Sequence, residues 1–99
     1  MVMKAAIIVD IEVSNTQNYE AYIKLITPSV TRRGGRYLVR GGSPLTLAGD
    51  WQSARMVVIE FPSRALALDW LNDVNLQHIH EMRRDNTSKC NMLLCDMTS

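Results

Sequence analysis

Residues 34–51 read GGRYLVRGGSPLTLAGDW and hold all five glycines of the 99-residue chain. Three devices are glycine-rich in this way: a loop that cradles phosphate, an arginine–glycine element that binds RNA, and a short strand with tight turns at both ends. A phosphate loop follows a strand and opens a helix, with G-x-G-x-x-G or G-x-x-x-x-G-K-[ST] spacing. Neither spacing occurs here, and the window leads into a strand. The triplets Arg33-Gly34-Gly35 and Arg40-Gly41-Gly42 match the RNA element, but the strand at residues 55–61 lacks the stacking aromatics of RNA-recognition modules, having only Phe61. Near-zero net charge (+1) also argues against nucleic acid. That leaves a short strand at residues 36–40. Gly34 closes the preceding helix, Gly41-Gly42-Ser43-Pro44 releases the strand into a loop, and Gly49 turns that loop before Asp50-Trp51.

Outward from this strand, the chain alternates between period two and period 3.6. Residues 4–13 (KAAIIVDIEV) place Ala5, Ile7, Val9, Ile11 and Val13 on one face, and Ala6, Ile8, Asp10 and Glu12 on the other. Ser14 or Asn15 can cap the next helix, with Ser14 and Gln17 at capping-box spacing. Its apolar stripe is Tyr19, Tyr22, Ile23, Ile26 and Val30, and Pro28 predicts a kink or break. Residues 55–61 (RMVVIEF) form a buried strand ended by Pro62. Ser63 caps a helix carrying Ala67, Trp70, Leu71 and Val74, and Asp73 caps a second helical piece carrying Leu76, Ile79 and Met82. Residues 90–95 (CNMLLC) are the last strand.

The order is βαββαβ, a ferredoxin-like α+β fold in a single domain of residues 1–99, with a four-stranded antiparallel sheet. Two helices cover one sheet face. The other also carries apolar residues, including Ala6, Ile8, Met56 and Val58, which predicts a homodimer packed sheet on sheet.

Composition restricts the function further. The chain is 46% hydrophobic and 21% charged, the balance of an ordinary globular domain. Its longest N-terminal apolar stretch, residues 5–9, is too short for a signal core or a membrane span, so a cytoplasmic protein without membrane association is expected. Cys90 and Cys95 lie on opposite strand faces, too far apart for a disulfide at ~3.3 Å per residue, and are read as small buried apolar groups. No metal spacing or cofactor motif occurs, so neither is expected.

The segments GGRYLVRGG, GDW and RMVVIEFPS (residues 55–63) together resemble the uncharacterised family known as domain of unknown function thirteen-thirty, in the dimeric α+β barrel superfamily. The resemblance extends to Tyr19-x-x-Tyr22 and Pro28 upstream, and to Trp70 and Arg83 downstream. It implies a homodimer whose two sheets face each other across a barrel-like core, and no established reaction. The superfamily contains cofactor-free monooxygenases, isomerases, and dehalogenating or decyclising enzymes. The chain departs from the family pattern at Ala48, Ser53 and Met97, which stand in place of a glutamate, a proline and a glycine. It departs again at Asp73-Val74-Asn75-Leu76, where a tyrosine is lost.

Several side chains could carry chemistry. Strand parity places Asp10, Glu12, Arg36, Arg40 and Glu60 on the uncovered face, with Tyr37 and Val39 toward the helices. Arg40 is then expected to pair with Glu60 or Asp10, either in an ion-pair network fixing the dimer or as the anchor of a small anion. Asp50 and Trp51 with Arg55 form a second group, in which Trp51 is a packing plug or a pocket wall. Tyr19 and Tyr22 share one helical face and, if buried, need hydroxyl partners. His78 and His80 point about 200° apart on a helix and cannot chelate one metal. His80 stands beside Arg83 and Arg84, whose charges would keep it neutral; it is either a general base or part of a solvated face.

The sequence thus points to a homodimer binding a small metabolite near the dimer barrel, an anionic one where Arg36 or Arg40 serves as anchor, as a binder or a cofactor-free enzyme. Arg40, Trp51, Arg55, Tyr19, Tyr22 and Arg83 are the ligand candidates, and His80 and Asp50 the proton-transfer candidates. The alternative is a non-catalytic dimeric interaction module.

Overall fold

The computed structural model describes residues 2–98. The element order is β1 (Ala5–Val13), α1 (Thr16–Arg32), β2 (Arg36–Gly41), β3 (Arg55–Phe61), α2 (Arg64–Asn72), a 3-10 turn (Val74–Leu76), α3 (Gln77–Asp85) and β4 (Thr87–Asp96). The strands form one antiparallel sheet in the order β2-β3-β1-β4. This is the ferredoxin-like βαββαβ arrangement expected from the order of elements.

The core lies between the helices and one face of the sheet. Ile7, Val9 and Ile11 of β1 and Val57, Ile59 and Phe61 of β3 meet Tyr19, Ile26 and Val30 of α1 and Trp70 of α2. Both central strands keep the predicted parity. Phe61 and Trp70 rings lie 5.6 Å apart, and the buried Trp70 indole donates to Ser29 Oγ at 2.9 Å, so the largest side chain of the core also has its polar atom satisfied. The molecule is a thin slab, 37 × 35 × 17 Å.

Helix boundaries follow their caps. Asn15, rather than Ser14, caps α1, its Oδ1 accepting from Asn18 N at 3.0 Å. Ser63 caps α2 through Leu66 N at 3.1 Å, and Asp73 caps the 3-10 turn through Asn75 N at 2.9 Å. Helix α1 does not break at Pro28. Lys24, whose carbonyl loses its partner there, lies on the exposed flank where water can substitute. Gly34 adopts φ +73 immediately after the helix, as expected of a left-handed closing residue. Val74 does not join the apolar stripe; it is exposed in the 3-10 turn.

Strand β4 is longer than expected, at ten residues rather than the six of 90–95, because pairing with β1 extends to Val13 opposite Thr87. Cys90 packs toward the helices and Cys95 lies on the opposite face, as alternation requires, but Cys95 is exposed and Cys90 only half-buried.

The main departure lies in β2. The ladder pairs Tyr37 with Ile59 and Val39 with Val58, leaving Leu38 as an extra residue, a β-bulge. One extra residue inverts facing for everything after it. Val39 therefore faces away from the helices and Arg40, opposite Val57, faces toward them. Arg40 pairs with neither Glu60 nor Asp10.

Candidate functional site

The bulge brings Arg40 to a cleft between α1 and the sheet. Its guanidinium lies 4.0 Å from the Tyr37 ring centroid and donates to Thr27 Oγ1. Arg55, at the first position of β3, reaches the same cleft with its guanidinium 5.4 Å from the Tyr19 ring. Gly41 makes room for it. A Cβ at Gly41 would lie 3.2 Å from Arg55 Nη1, and the residue already sits at φ +92. Arg83 enters from α3 and is only 5% exposed. Its Nη1 donates to Tyr22 Oη at 3.3 Å and to His80 Nδ1 at 2.8 Å.

His80 holds Arg83 from behind. A guanidinium can only donate, so Nδ1 is the acceptor and Nε2–H donates to the Trp70 carbonyl at 3.3 Å. The ring stands edge-on to Trp70 at 4.7 Å between centroids. Burial, reinforced by the Arg83 charge, pushes the His80 pKa down to about 4, so the imidazole is neutral at physiological pH. Neutrality was the sequence expectation; a solvated face was not met, since His80 is completely buried. The spacing of Leu76, Ile79, His80 and Arg83 (i, i+3, i+4, i+7) is that of one helical face. That signal was in the sequence, masked by reading His and Arg as surface types.

The cleft is rich in hydrogen-bond donors, and the side-chain oxygens that can accept among its lining residues are the neutral phenols. Around the three guanidiniums stand the phenols of Tyr19, Tyr22 and Tyr37, each with its pKa raised by burial, that of Tyr22 to about 12. The remaining walls are aliphatic, chiefly Val9, Ile11, Ile26, Val57 and Ile59. Among the described residues no carboxylate lines it. Arg40, Arg55 and Arg83 form no ion pair among the described residues, and Nε of both Arg55 and Arg83 is buried without a partner. The cleft encloses about 390 Å³ with its mouth included, but only about 20 Å³ of it is wide enough for water, roughly one molecule.

Two expected members stand elsewhere. Asp50 is exposed in the β2–β3 loop, and Trp51, 58% exposed, lies against the other sheet face rather than beside Arg55. Its indole donates to Asp10 Oδ2 at 3.1 Å, and Lys89 Nζ reaches the same oxygen at 3.0 Å. The Ser53 hydroxyl, then Trp51 and Lys89, outweigh desolvation and hold the Asp10 pKa down to about 2, while Oδ1 has no hydrogen-bond partner. Glu60 is likewise bound, to Lys4 at 3.0 Å and Arg36 at 3.1 Å, and its pKa is lowered mainly by Lys4. Alternation identified Asp10, Glu60 and Arg36 on this face; Lys4, Ser53 and Lys89 arrive by tertiary contact that one strand's pattern cannot show. His78 is exposed.

Among the described residues no group of three His, Cys, Asp or Glu side chains is placed to hold a metal ion, and no helix is long and apolar enough to cross a membrane.

An antiparallel four-stranded sheet in the order β2-β3-β1-β4, with helices α1, α2 and α3 on one face, defines a protein of the ferredoxin-like α+β class. The chain belongs to the family described as Domain of unknown function (DUF1330), whose model matches residues 4–98. Its fold is similar to that of a protein of unknown function from Rhodopseudomonas palustris, with TM-score 0.83 and 16% identity, covering 100% of this chain and 85% of that one. It is also similar to SnoaB, a cofactor-independent oxygenase from Streptomyces nogalater (TM-score 0.67, 11% identity, 99% and 96% covered). A third likeness is to a dimeric ferredoxin-like protein of unknown function from Thermobifida fusca (TM-score 0.65, 12% identity, 98% and 93% covered). No curated protein matches the sequence at a significant level.

Proposed function

We propose that this protein is a homodimer that binds a small anionic metabolite in the cleft of Arg40, Arg55 and Arg83. One observation carries the reading: Arg83 is a buried cation with no ion pair among the described residues and its Nε unpartnered. Burying a charge without a partner costs several kcal/mol. A bound anion would supply the missing partner, and the half-buried Arg55, which lines the same cleft, also has an unpartnered Nε. As a chemical environment the cleft stabilises negative charge on a bound oxygen and contains no ionised base. If the protein is an enzyme, its proton acceptor comes from the ligand or from outside the cleft. Likeness to a cofactor-independent oxygenase at 11% identity concerns the fold and supports no particular reaction here.

The homodimer is supported by the uncovered sheet face. Leu93 is 65% exposed there, beside the half-buried Ile8 and Val58. The loop over residues 42–54 holds Leu45 and Leu47 at 79% and 89% exposure. Accessible area is 6275 Å², against roughly 5,700 Å² expected for a compact monomer of this mass. Two free cysteines suit a reducing, cytoplasmic setting.

The test is thermal unfolding across a series of sodium salts at constant ionic strength, with wild type and Arg83→Met. At least one anion is expected to stabilise the wild type, by about 1–3 kcal/mol at concentrations well above its Kd, and to leave the variant unmoved. Equal responses in both would remove the anion reading. The narrowness of the cleft favours a second reading, a non-catalytic interaction module with a filled interior. An Arg83→Met variant more stable than wild type under every salt would support it.

A further inference from the structure

Resting on the anion-binding reading, we infer that the ligand is a monocarboxylate with an apolar body, its carboxylate bridged by Arg55 and Arg83. The argument is an inventory of what the cleft leaves unspent. Arg83 commits Nη1 to His80 and Tyr22, which fixes the guanidinium plane and leaves Nε bare. Arg55 also keeps a bare, buried Nε. Both guanidiniums line the same cleft, which Tyr19 also walls. Two planar forks with free donors match the two oxygens of a single carboxylate, the group whose geometry guanidinium fits best.

The third guanidinium makes no comparable demand. Arg40 is exposed at the mouth and already occupied by the Thr27 hydroxyl and the Tyr37 ring. A second deep charge on the ligand would therefore have no free partner. The walls exclude other classes for the same reason. An amino acid would bury an ammonium where no carboxylate or amide oxygen accepts from it, and a sugar acid would bury hydroxyls against Val9, Ile11, Ile26, Val57 and Ile59. An aliphatic or aromatic body loses nothing there and gains apolar contact. Only one water's width is open in the cleft, so a ligand of this class requires the cleft to widen, and Arg40, exposed at its mouth and in no ion pair, is the side chain whose movement would permit it.

The experiment is titration calorimetry with benzoate, hexanoate, benzamide, succinate and inorganic phosphate, at fixed ionic strength, on wild type, Arg55→Met and Arg55→Lys. Benzoate or hexanoate is expected to bind at least about tenfold more tightly than succinate or phosphate. Binding should weaken at least about tenfold in Arg55→Met, and in Arg55→Lys to a smaller degree, because a point charge replaces a fork. Succinate or phosphate binding as tightly, with the same dependence on Arg55, would overturn the monocarboxylate class and leave the anion reading standing. Benzamide matching benzoate, with no dependence on Arg55, would overturn both. Binding by none of the probes would overturn this inference, and the salt series on Arg83→Met would then decide separately on the anion reading.

Discussion

On the outer face of the sheet, Asp10 meets Lys89 and the Trp51 indole, and Glu60 meets Lys4 and Arg36. On the helix-covered face, Arg55 and Arg83 meet phenols, an imidazole and aliphatic walls, and no carboxylate. The two faces belong to the same strands, one residue apart in register, yet their charges are handled in opposite ways. Outer-face carboxylates come with cations from neighbouring elements, as expected where charges must stay quiet while apolar residues between them are covered. Inner-face cations are left unneutralised, which costs stability unless something external supplies the negative charge. Paired charge on an apolar surface suits assembly, whereas unpaired charge in a cleft suits a ligand.

The strongest way to break the outer half of that contrast is to put a charge among its apolar residues. Val58 lies mid-strand opposite both Ile8 and Val39. If the chain is the proposed homodimer, Val58→Asp is expected to cost about 3–5 kcal/mol of association free energy, the scale of an unpaired buried charge, and to halve the mass that light scattering gives for the wild type at micromolar concentration. A variant that stays dimeric would show that the outer face is not the interface.

The two faces also separate in pH. His80 has its pKa depressed from 6.5 to about 4, so between those values the unfolded chain binds a proton that the folded one refuses. Its contribution is complete above pH 6.5 and is lost as pH falls toward 4, a decline of at most about 3 kcal/mol. His80→Gln should flatten that limb of a denaturant-midpoint profile. Asp10, depressed from 3.8 to about 2, contributes above pH 3.8 and loses its share as pH falls through to about 2, at most about 2 kcal/mol. Asp10→Asn should remove only this lower limb. A single limb that responds equally to both substitutions would mean the faces are not electrostatically independent.

Most of this architecture was legible in the sequence, and the failures share one physical origin. Strands β1 and β3, whose alternation is carried by seven or more residues in strict period two, fall at the expected places with the expected faces, and Ser63 and Asp73 cap where predicted. Arg40 was assigned to the wrong face because a bulge depends on how two strands pair. Leu38 is an ordinary β-former, and nothing in RYLVRG shows that it stands unpaired opposite β3. His80 and Trp51 were misplaced because their environments are tertiary. A buried histidine is acceptable only because Trp70 and Arg83 supply its partners, and Trp51 turns outward because Asp10 is there to accept from it. The cleft therefore cannot be assembled from sequence, although residue type and spacing point to five of its residues, Tyr19, Tyr22, Arg40, Arg55 and Arg83.

The smallest effect tests the inner half most sharply, because it separates backbone strain from ligand geometry. Gly41 and Gly42 both have positive φ, +92 and +70. Replacing either with alanine costs on the order of 1 kcal/mol for a Cβ in a left-handed conformation. At Gly42 that Cβ would meet nothing within 4 Å, whereas at Gly41 it would press on the Arg55 guanidinium at 3.2–3.6 Å. Both variants should thus lose similar stability in denaturant titrations, but only Gly41→Ala should weaken anion binding, by severalfold, through displacement of Arg55. Were Gly42→Ala to weaken binding as much, the effect would belong to the loop rather than to Arg55. Were neither to do so, Arg55 would not be holding the ligand, and the contrast between the two faces would reduce to Arg83 alone.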